Sequence, residues 1–475
     1  MNRLRARYRQ IVTLLDGASP TLLVAYLCYV VITVFLLTQV QVIGGDSPPT
    51  VYLPVTLLRW GTFRLDPLIG QVPVLFDLEQ HTFHYLAESN GHYYSKYSPV
   101  AALLALPLYA LYLGLGGAPD NWLAYLFLSR VAATLIAAAI TSFLFLALRR
   151  MVFQHRAFFL ALVYAFGTFT WAFATNTLAT QSSAELFLIL AILAFMQLSE
   201  QPSGWRYALA GLWVGLAVAA RLQVLVVSVF LTLYIARRGW GALWRFIGGA
   251  LPVALLLIWY NIAAFGSPLG TGYGAEAAWG WSTPLWVGLP GILITPAHGL
   301  LMYSPVLLFA FGGGWVVWRR GVEAPMAQLG RCLSLASLAY LLLMSHWWAW
   351  HGGVAYNQRM LQEIHPLLIL LVAYAWRGFG DSRRFRWALL AASLWPIWLN
   401  VVRVTFYDQH LDVLEKFDPA VVWSLRNCEL LMYLRWHGVG GFLSGVGQTV
   451  LLLLAVTVAP TLLLFRLLRR GRWRV

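Results

Sequence analysis

The sequence predicts an all-α polytopic integral membrane protein, and three observations support this fold class. Of the 475 residues, 60% are hydrophobic and only 11% are charged, whereas soluble domains usually carry about 25% charge. The apolar residues gather in runs near the length of about 20 that an α-helix needs to cross a bilayer. Most of the 33 basic residues lie in short segments between these runs, as expected for loops on the cytoplasmic side.

The first apolar run, Thr21–Ile43, follows a basic N-terminal segment. It is too long for the core of a signal peptide and has no clear cleavage site, so it predicts the first transmembrane helix. The remaining predicted spans are Trp122–Leu148, Ala157–Ala174, Ser183–Leu198, Tyr207–Ala220, Leu222–Ala236, Phe246–Phe265, Leu300–Trp318, Cys332–Met344, Leu361–Trp376, Trp387–Val404 and Phe442–Phe465.

The apolar run Val100–Leu115 is predicted to lie in the outer interface and not to cross. If it crossed, every later arginine cluster would face outwards, against the positive-inside rule. Pro107 also suits an interfacial or broken helix better than a regular span. The result is about twelve spans with both termini in the cytoplasm, together with interfacial helices in the first outer loop.

The composition excludes several other classes of protein. A net charge of +15 would suggest nucleic-acid binding in a soluble protein, but here it follows from basic loops that face anionic lipid headgroups. No nucleic-acid partner is therefore expected. The cysteines Cys28, Cys332 and Cys428 are far apart in the sequence, which predicts neither a disulfide nor a zinc site.

The polar segment 44–99 is predicted to lie on the outer face. Its carboxylates are Asp46, Asp66, Asp77, Glu79 and Glu88. Asp46 follows the first span closely, and Ser47-Pro48 predicts the start of a helix. A helix N-terminus would favour the ionised form of Asp46, which is the form that a general base needs. The alternative is a helix cap or a solvated loop acid.

Several segments in order resemble the GT-C superfamily of membrane glycosyltransferases, close to bacterial relatives of protein O-mannosyltransferases and of the lipid A aminoarabinose transferase. Gly44-Gly45-Asp46-Ser47 and the predicted helix Tyr52–Trp60 look like the start of such a protein. Segment 91–99 is similar to the family's Tyr-Pro-Pro segment. Segments 260–273 and 301–305 resemble stretches that recur in uncharacterised bacterial members. The resemblance covers roughly residues 20–365.

The resemblance implies a catalytic module over residues 1–365, including outer loop 44–121, and C-terminal helices over 366–475 with outer loop 407–440. No separate soluble domain is expected. The donor would be a polyprenyl-phosphate sugar at the outer face of the cell's inner membrane. Asp46 would deprotonate a hydroxyl of a glycan, lipid or protein acceptor, which displaces the lipid phosphate with inversion. One carboxylate suffices because phosphate is already a good leaving group, unlike the leaving groups of glycosidases.

A cation must offset the charge that develops on the departing phosphate. Arg221 lies between two short apolar segments, and a charge in the membrane is costly and often functional. Arg359 and Lys96 are further candidates for phosphate contacts. Snorkelling or interfacial anchoring is the alternative for each of them. The expected substrate-binding set is Lys96, Tyr97, Arg221, Glu276, Tyr356 and Arg359, with Glu185 as a secondary acid.

No metal or other cofactor is expected. Asp77 and Glu79 resemble the acidic pair with which GT-C oligosaccharyltransferases hold a divalent metal, but two acids share an ion only if their geometry converges. A divalent metal at this pair therefore stays an open alternative. His346 and His351 show no ligand spacing for a metal or haem. The tryptophans at 347, 348 and 350 fit either sugar stacking or an interfacial aromatic belt.

Two other classes of function compete with a transferase: a transporter or flippase of lipid-linked sugars, and a non-catalytic subunit with the same fold. Transporters often contain inverted repeats and matched broken helices near the middle of the membrane. Neither feature is evident in the sequence. The polar residues cluster in the outer loops instead.

The predicted topology is tested by reporter fusions. A reporter fused after Gly117 should give a periplasmic signal, because Val100–Leu115 is predicted not to cross the membrane. A fusion after Arg238, in a predicted cytoplasmic loop, serves as the control and should give the opposite signal. A cytoplasmic signal after Gly117 would contradict the predicted order of spans.

Overall fold

The computed structural model describes residues 2–38, 47–72, 85–319, 324–353, 359–407 and 420–470. This part of the chain is predominantly helical, with one two-stranded antiparallel hairpin, and it confirms the predicted all-α class. The helices are α1 (Asn2–Asp16), α2 (Pro20–Leu37), α3 (Pro48–Trp60), α4 (Val100–Gly114), α5 (Trp122–Leu148), α6 (Gln154–Gly167), α7 (Phe169–Ala174), α8 (Thr180–Glu200), α9 (Gly204–Ala220), α10 (Leu225–Ala236), α11 (Trp240–Phe265), α12 (Glu276–Trp279), α13 (Leu285–Ile294), α14 (Leu300–Tyr303), α15 (Phe309–Arg319), α16 (Ala324–Ser345), α17 (His365–Phe379), α18 (Arg383–Phe406) and α19 (Glu429–Arg470). The strands are β1 (Leu86–Ser89) and β2 (His92–Ser95).

Within the described ranges, 7 helices are long and apolar enough to cross a bilayer on their own: α2, α5, α8, α11, α16, α18 and α19. The other predicted spans correspond to shorter or interrupted helices. The run Ala157–Ala174 is divided at Thr168, which is extended (φ −124°, ψ −175°) and accepts a hydrogen bond from the Thr170 amide. The run Leu300–Trp318 is divided before Pro305, which has no amide hydrogen to continue the helix.

The first outer segment contains one helix and the hairpin. Helix α3 begins at Pro48 as predicted, but Ser47 makes no side-chain capping bond to it. The hairpin, which the sequence analysis did not predict, turns at Asn90 and Gly91, whose φ angles are 55° and 73°. Positive φ at both turn residues is typical of the tight turns that suit twisted hairpins, and Asn-Gly adopts it readily.

Helix α8 lies at the centre of the fold, with α5 packed on one side and α9 on the other, and α9 in turn packs on α11. The α9–α11 contact is so close that it requires glycine. A Cβ at Gly211 would lie 1.8 Å from the carbonyl oxygen of Phe246, and a Cβ at Gly249 would lie 1.8 Å from that of Ala208. Small residues of this kind let membrane helices approach backbone to backbone.

The C-terminal helices α18 and α19 join the bundle through polar contacts as well as apolar packing. Nη1 of Arg403 lies 3.2 Å from Oε1 of Glu429, and both side chains are almost fully buried. The Glu429 amide donates a hydrogen bond to the Tyr303 hydroxyl at 3.0 Å, which links α19 to α14. Helix α19 is interrupted at Gly438, whose φ is 66°.

Two neighbouring glycines of α11 allow a matched test of the close packing. Gly249→Ala should destabilise the protein by about 1–3 kcal/mol, because overpacking forces α9 and α11 apart. Gly248 has no atom within 4 Å of its added Cβ, so Gly248→Ala should be neutral or stabilising by up to about 1 kcal/mol. Thermal unfolding of the purified variants measures both, and equal melting temperatures would contradict the contact.

Candidate functional site

Lys96 and Glu276, both expected to bind substrate, form a salt bridge, and their side chains are 14% and 17% exposed. Lys96 directly follows β2, and its amide donates to the Tyr85 carbonyl at 3.0 Å. Glu276 opens the short helix α12 in the loop between α11 and α13. The hairpin and this second loop are therefore joined by a partly buried ion pair.

The loop backbone also packs directly on Lys96. A Cβ at Gly272 would lie 2.4 Å from Cα of Lys96, so a side chain there would displace one of the two segments. Tyr273 follows, and its ring centroid lies 5.0 Å from Nζ of Lys96, within the range of a cation–π contact. The Tyr97 ring packs edge-on against Tyr273 at 6.0 Å. Lys96, Tyr97 and Glu276 thus belong to one cluster organised by Tyr273.

The tryptophan-rich segment after α16 closes the same cluster. Nε1 of Trp348 donates to Oε1 of Glu276 at 3.0 Å, so this carboxylate accepts from a lysine and an indole together. The Trp347 ring packs against Tyr273 at 6.1 Å and against Trp281 at 4.7 Å. Trp348 remains 43% exposed and thus keeps a surface available beside the ion pair.

The backbone holds these tryptophans in place. The Trp348 amide donates to the Gly280 carbonyl at 2.7 Å, and the Thr283 amide donates to the His346 carbonyl at 3.0 Å. Nδ1 of His346 lies 2.9 Å from the Thr283 carbonyl, which gives this ring a structural partner. Two segments about 65 residues apart in sequence are therefore joined by main-chain hydrogen bonds.

Arg221 lies where α9 ends, in an extended conformation (φ −149°, ψ 113°). Its Nε donates to Oε1 of Glu363 at 2.7 Å, and the two side chains are 9% and 0% exposed. Tyr273 and Tyr340 lie close enough to interact electrostatically with the guanidinium. Tyr273 contacts Lys96 and Tyr97 directly, so this tyrosine connects the cluster electrostatically with the buried Arg221.

Glu363 was not identified from the sequence, although an acid at the start of an apolar run is an available signal. It lies in the 3-10 segment Arg359–Ile364, which precedes α17. The neighbouring Gln362 holds this segment against α8, since its Nε2 donates to Oε2 of Glu185 at 3.1 Å. Tyr164 donates to the other oxygen of Glu185 at 3.0 Å. Glu185 is fully buried. Its bond to Gln362 holds the segment that carries Glu363 against α8.

Arg359 begins the same 3-10 segment, and its side chain packs along a backbone turn. A Cβ at Gly352 would lie 3.1 Å from Cγ of Arg359. Gly352 and Gly353 both have positive φ, at 79° and 67°, which glycine adopts without strain. The turn therefore lets the Arg359 stem lie directly on the main chain.

Several predictions fall outside the described residues. These are the catalytic base Asp46, the substrate-binding Tyr356 and the acidic pair Asp77 and Glu79. The helix that follows Asp46 is well anchored, since the Tyr109 hydroxyl lies 2.9 Å from the Val51 carbonyl of α3. Across the described ranges, no group of three or more His, Cys, Asp or Glu side chains is placed to hold a metal ion.

Comparison with known proteins finds similarity to a solved structure. Neither a family model nor a curated protein matches the chain. The crystal structure of ArnT from Cupriavidus metallidurans bound to undecaprenyl phosphate matches with a TM-score of 0.52 at 14% sequence identity. The match covers 96% of this chain and 79% of ArnT. The chain has the fold of ArnT. This confirms the predicted GT-C fold of a polytopic membrane protein.

The buried pair of Arg221 and Glu363 is tested by a double-mutant cycle on stability. Glu363→Gln should cost about 3 kcal/mol or more, because it leaves the Arg221 charge buried without its counter-ion. Arg221→Gln/Glu363→Gln should cost less than the sum of the two single changes. Thermal or denaturant unfolding of the four proteins gives the coupling, and additive effects would contradict a direct interaction.

Proposed function

We propose that this protein is an inverting glycosyltransferase that moves a sugar from a polyprenyl-phosphate donor to an acceptor hydroxyl at the outer face of the cell's inner membrane. The observation that carries the proposal is the cluster of Lys96, Tyr97 and Glu276 around Tyr273, which also interacts electrostatically with Arg221, in an ArnT-like fold. ArnT itself was crystallised with undecaprenyl phosphate, which supports the same class of lipid as donor here.

The charges of the cluster suit a lipid phosphate. The site holds two cations, Lys96 and Arg221, which pair with the carboxylates of Glu276 and Glu363 respectively. Glu363 accepts a hydrogen bond from Nε of Arg221, and in the proposal the terminal nitrogens of the guanidinium bind phosphate oxygens as a fork. Lys96 keeps further N–H donors beside its bond to Glu276. A phosphate that gains negative charge as it leaves would be stabilised by both cations.

In the proposed reaction, Asp46 removes the proton of the acceptor hydroxyl as that oxygen attacks the anomeric carbon. The bond between this carbon and the phosphate oxygen breaks, and the electron pair leaves with the lipid phosphate. Attack from the face opposite the phosphate inverts the anomeric configuration. Lys96 and Arg221 act on the leaving group only, so the base and the cations serve opposite ends of the displacement.

The exposed tryptophans supply the sugar-binding part of the proposal. Trp348 and Trp279 pack together with ring centroids 5.7 Å apart, and both stay more than two-fifths exposed. Trp348 is bound to Glu276, which places its ring beside the cationic cluster. An aromatic face next to a phosphate site would orient the donor sugar while the carboxylate accepts from its hydroxyl groups.

Donor binding is tested first, with native mass spectrometry or thermal shift on the purified protein. The wild type should bind a polyprenyl phosphate at least tenfold more tightly than the matching uncharged polyprenol, because the phosphate adds charge-assisted hydrogen bonds. Arg221→Gln should remove most of this preference. Arg59→Gln, a change at an exposed arginine near the C-terminal end of α3, is the control and should retain it. Equal binding of phosphate and alcohol would exclude this class of donor.

Asp46→Asn then separates catalysis from other functions. It should reduce release of polyprenyl phosphate from a panel of polyprenyl-phosphate sugars by about a hundredfold or more, while binding of polyprenyl phosphate stays unchanged. A transporter of lipid-linked sugars or a non-catalytic subunit has no step that needs this base. Full turnover in Asp46→Asn would therefore contradict the proposed mechanism.

A further inference from the structure

A groove with a volume of about 580 Å³ lies along one face of α8, between α5 and α9. Its floor consists of α8 residues spaced i, i+3, i+4 and i+7, which share one helical face. These floor residues are Leu190, Leu193, Ala194 and Gln197. The walls are Phe143 and Leu146 of α5 and Leu209 and Trp213 of α9.

The two ends of the groove differ in chemistry. One end is apolar, while Arg149 and Arg150 lie at the other, directly after the last residue of α5. Nη1 of Arg150 lies 3.5 Å from Oε1 of Glu200, at an exposed position. Arg149 forms no salt bridge with any residue in the described part of the chain. The basic end therefore carries more positive than negative charge.

The groove lies along membrane-spanning helices, and its basic end coincides with their ends. From Phe143 to Arg150, α5 rises by roughly 10 Å, about a third of the hydrocarbon core. The distribution of arginines along the sequence predicts that the basic end of the groove faces the cytoplasm. An occupant must therefore be apolar within the bilayer and anionic at its cytoplasmic boundary.

We propose that this groove binds an anionic phospholipid of the cytoplasmic leaflet. An acyl chain lies on the α8 floor, where the small side chain of Ala194 provides depth, and the headgroup phosphate lies against Arg149 and Arg150. Basic pockets between transmembrane helices on this side of a membrane favour anionic headgroups. The groove volume of about 580 Å³ lies within the usual range of small-molecule pockets.

Other occupants fit the groove less well. A soluble anion would leave the apolar walls uncovered, and a zwitterionic lipid would leave the arginines without a net counter-charge. This site does not depend on the proposed transferase activity.

Lipid competition in native mass spectrometry tests the site. The purified protein is offered phosphatidylglycerol and phosphatidylcholine with identical chains, and the wild type should retain phosphatidylglycerol preferentially. Arg149→Gln/Arg150→Gln should lower this preference by about fivefold for each arginine neutralised. Arg383→Gln/Arg384→Gln, which removes two exposed arginines at the start of α18 outside the groove, is the matched control and should keep it.

A second variant keeps the test decisive if the arginine variant does not fold. Leu190→Trp fills the apolar end of the groove and should reduce retention of both lipids at least threefold, because an acyl chain loses its place. An unchanged preference in Arg149→Gln/Arg150→Gln, or the same loss in the control, would overturn the site. Displacement of phosphatidylglycerol by polyprenyl phosphate at equal concentration would also overturn it and would assign the groove to the donor lipid.

Discussion

The site depends on one buried ion pair, the contact at 2.7 Å between Arg221 and Glu363. An arginine charge that is nine-tenths buried in a membrane protein is costly unless it is paired and hydrogen-bonded. Glu363 meets this requirement by accepting a hydrogen bond from Nε of Arg221. The same hydrogen bond therefore makes the burial of the arginine charge tolerable.

Short interruptions of helices bring the polar groups together. Arg221 itself has an extended backbone and separates α9 from the next 3-10 turn. Glu363 lies in a 3-10 segment before α17. Within a bilayer, non-helical backbone is tolerated only where protein or a polar cavity surrounds it. The segment that carries Glu363 is buried in the protein, and the bond from Gln362 to Glu185 holds it against α8.

The predictable part of the fold follows from local rules. The predicted span Trp122–Leu148 coincides with α5, because a long apolar run in lipid must satisfy its own backbone hydrogen bonds as a helix. The division of Leu300–Trp318 before Pro305 was accessible from proline chemistry but was missed in an apolar context. The predicted binding of substrate by Lys96, Tyr97, Arg221 and Glu276 stays a prediction, although Lys96, Tyr97 and Glu276 do lie in one cluster.

The contacts among these residues could not be predicted from the sequence. Gly272 and Lys96 are 176 positions apart, and only the folded chain reveals that a side chain at Gly272 would lie 2.4 Å from Cα of Lys96. Likewise, Glu276 could be identified as an acid in a glycine-rich loop, but its hydrogen-bond partners Lys96 and Trp348 lie in two other segments of the chain. Loop segments carry no periodic pattern that would reveal such partners.

The sequence alone determined that this chain spans a membrane as a set of helices, because apolar length and the placement of arginines are local quantities that the bilayer acts on directly. Only the tertiary structure decided which charges are paired. The pairing of Glu363 with Arg221 and the groove along α8 both arise from packed segments that lie far apart in the chain.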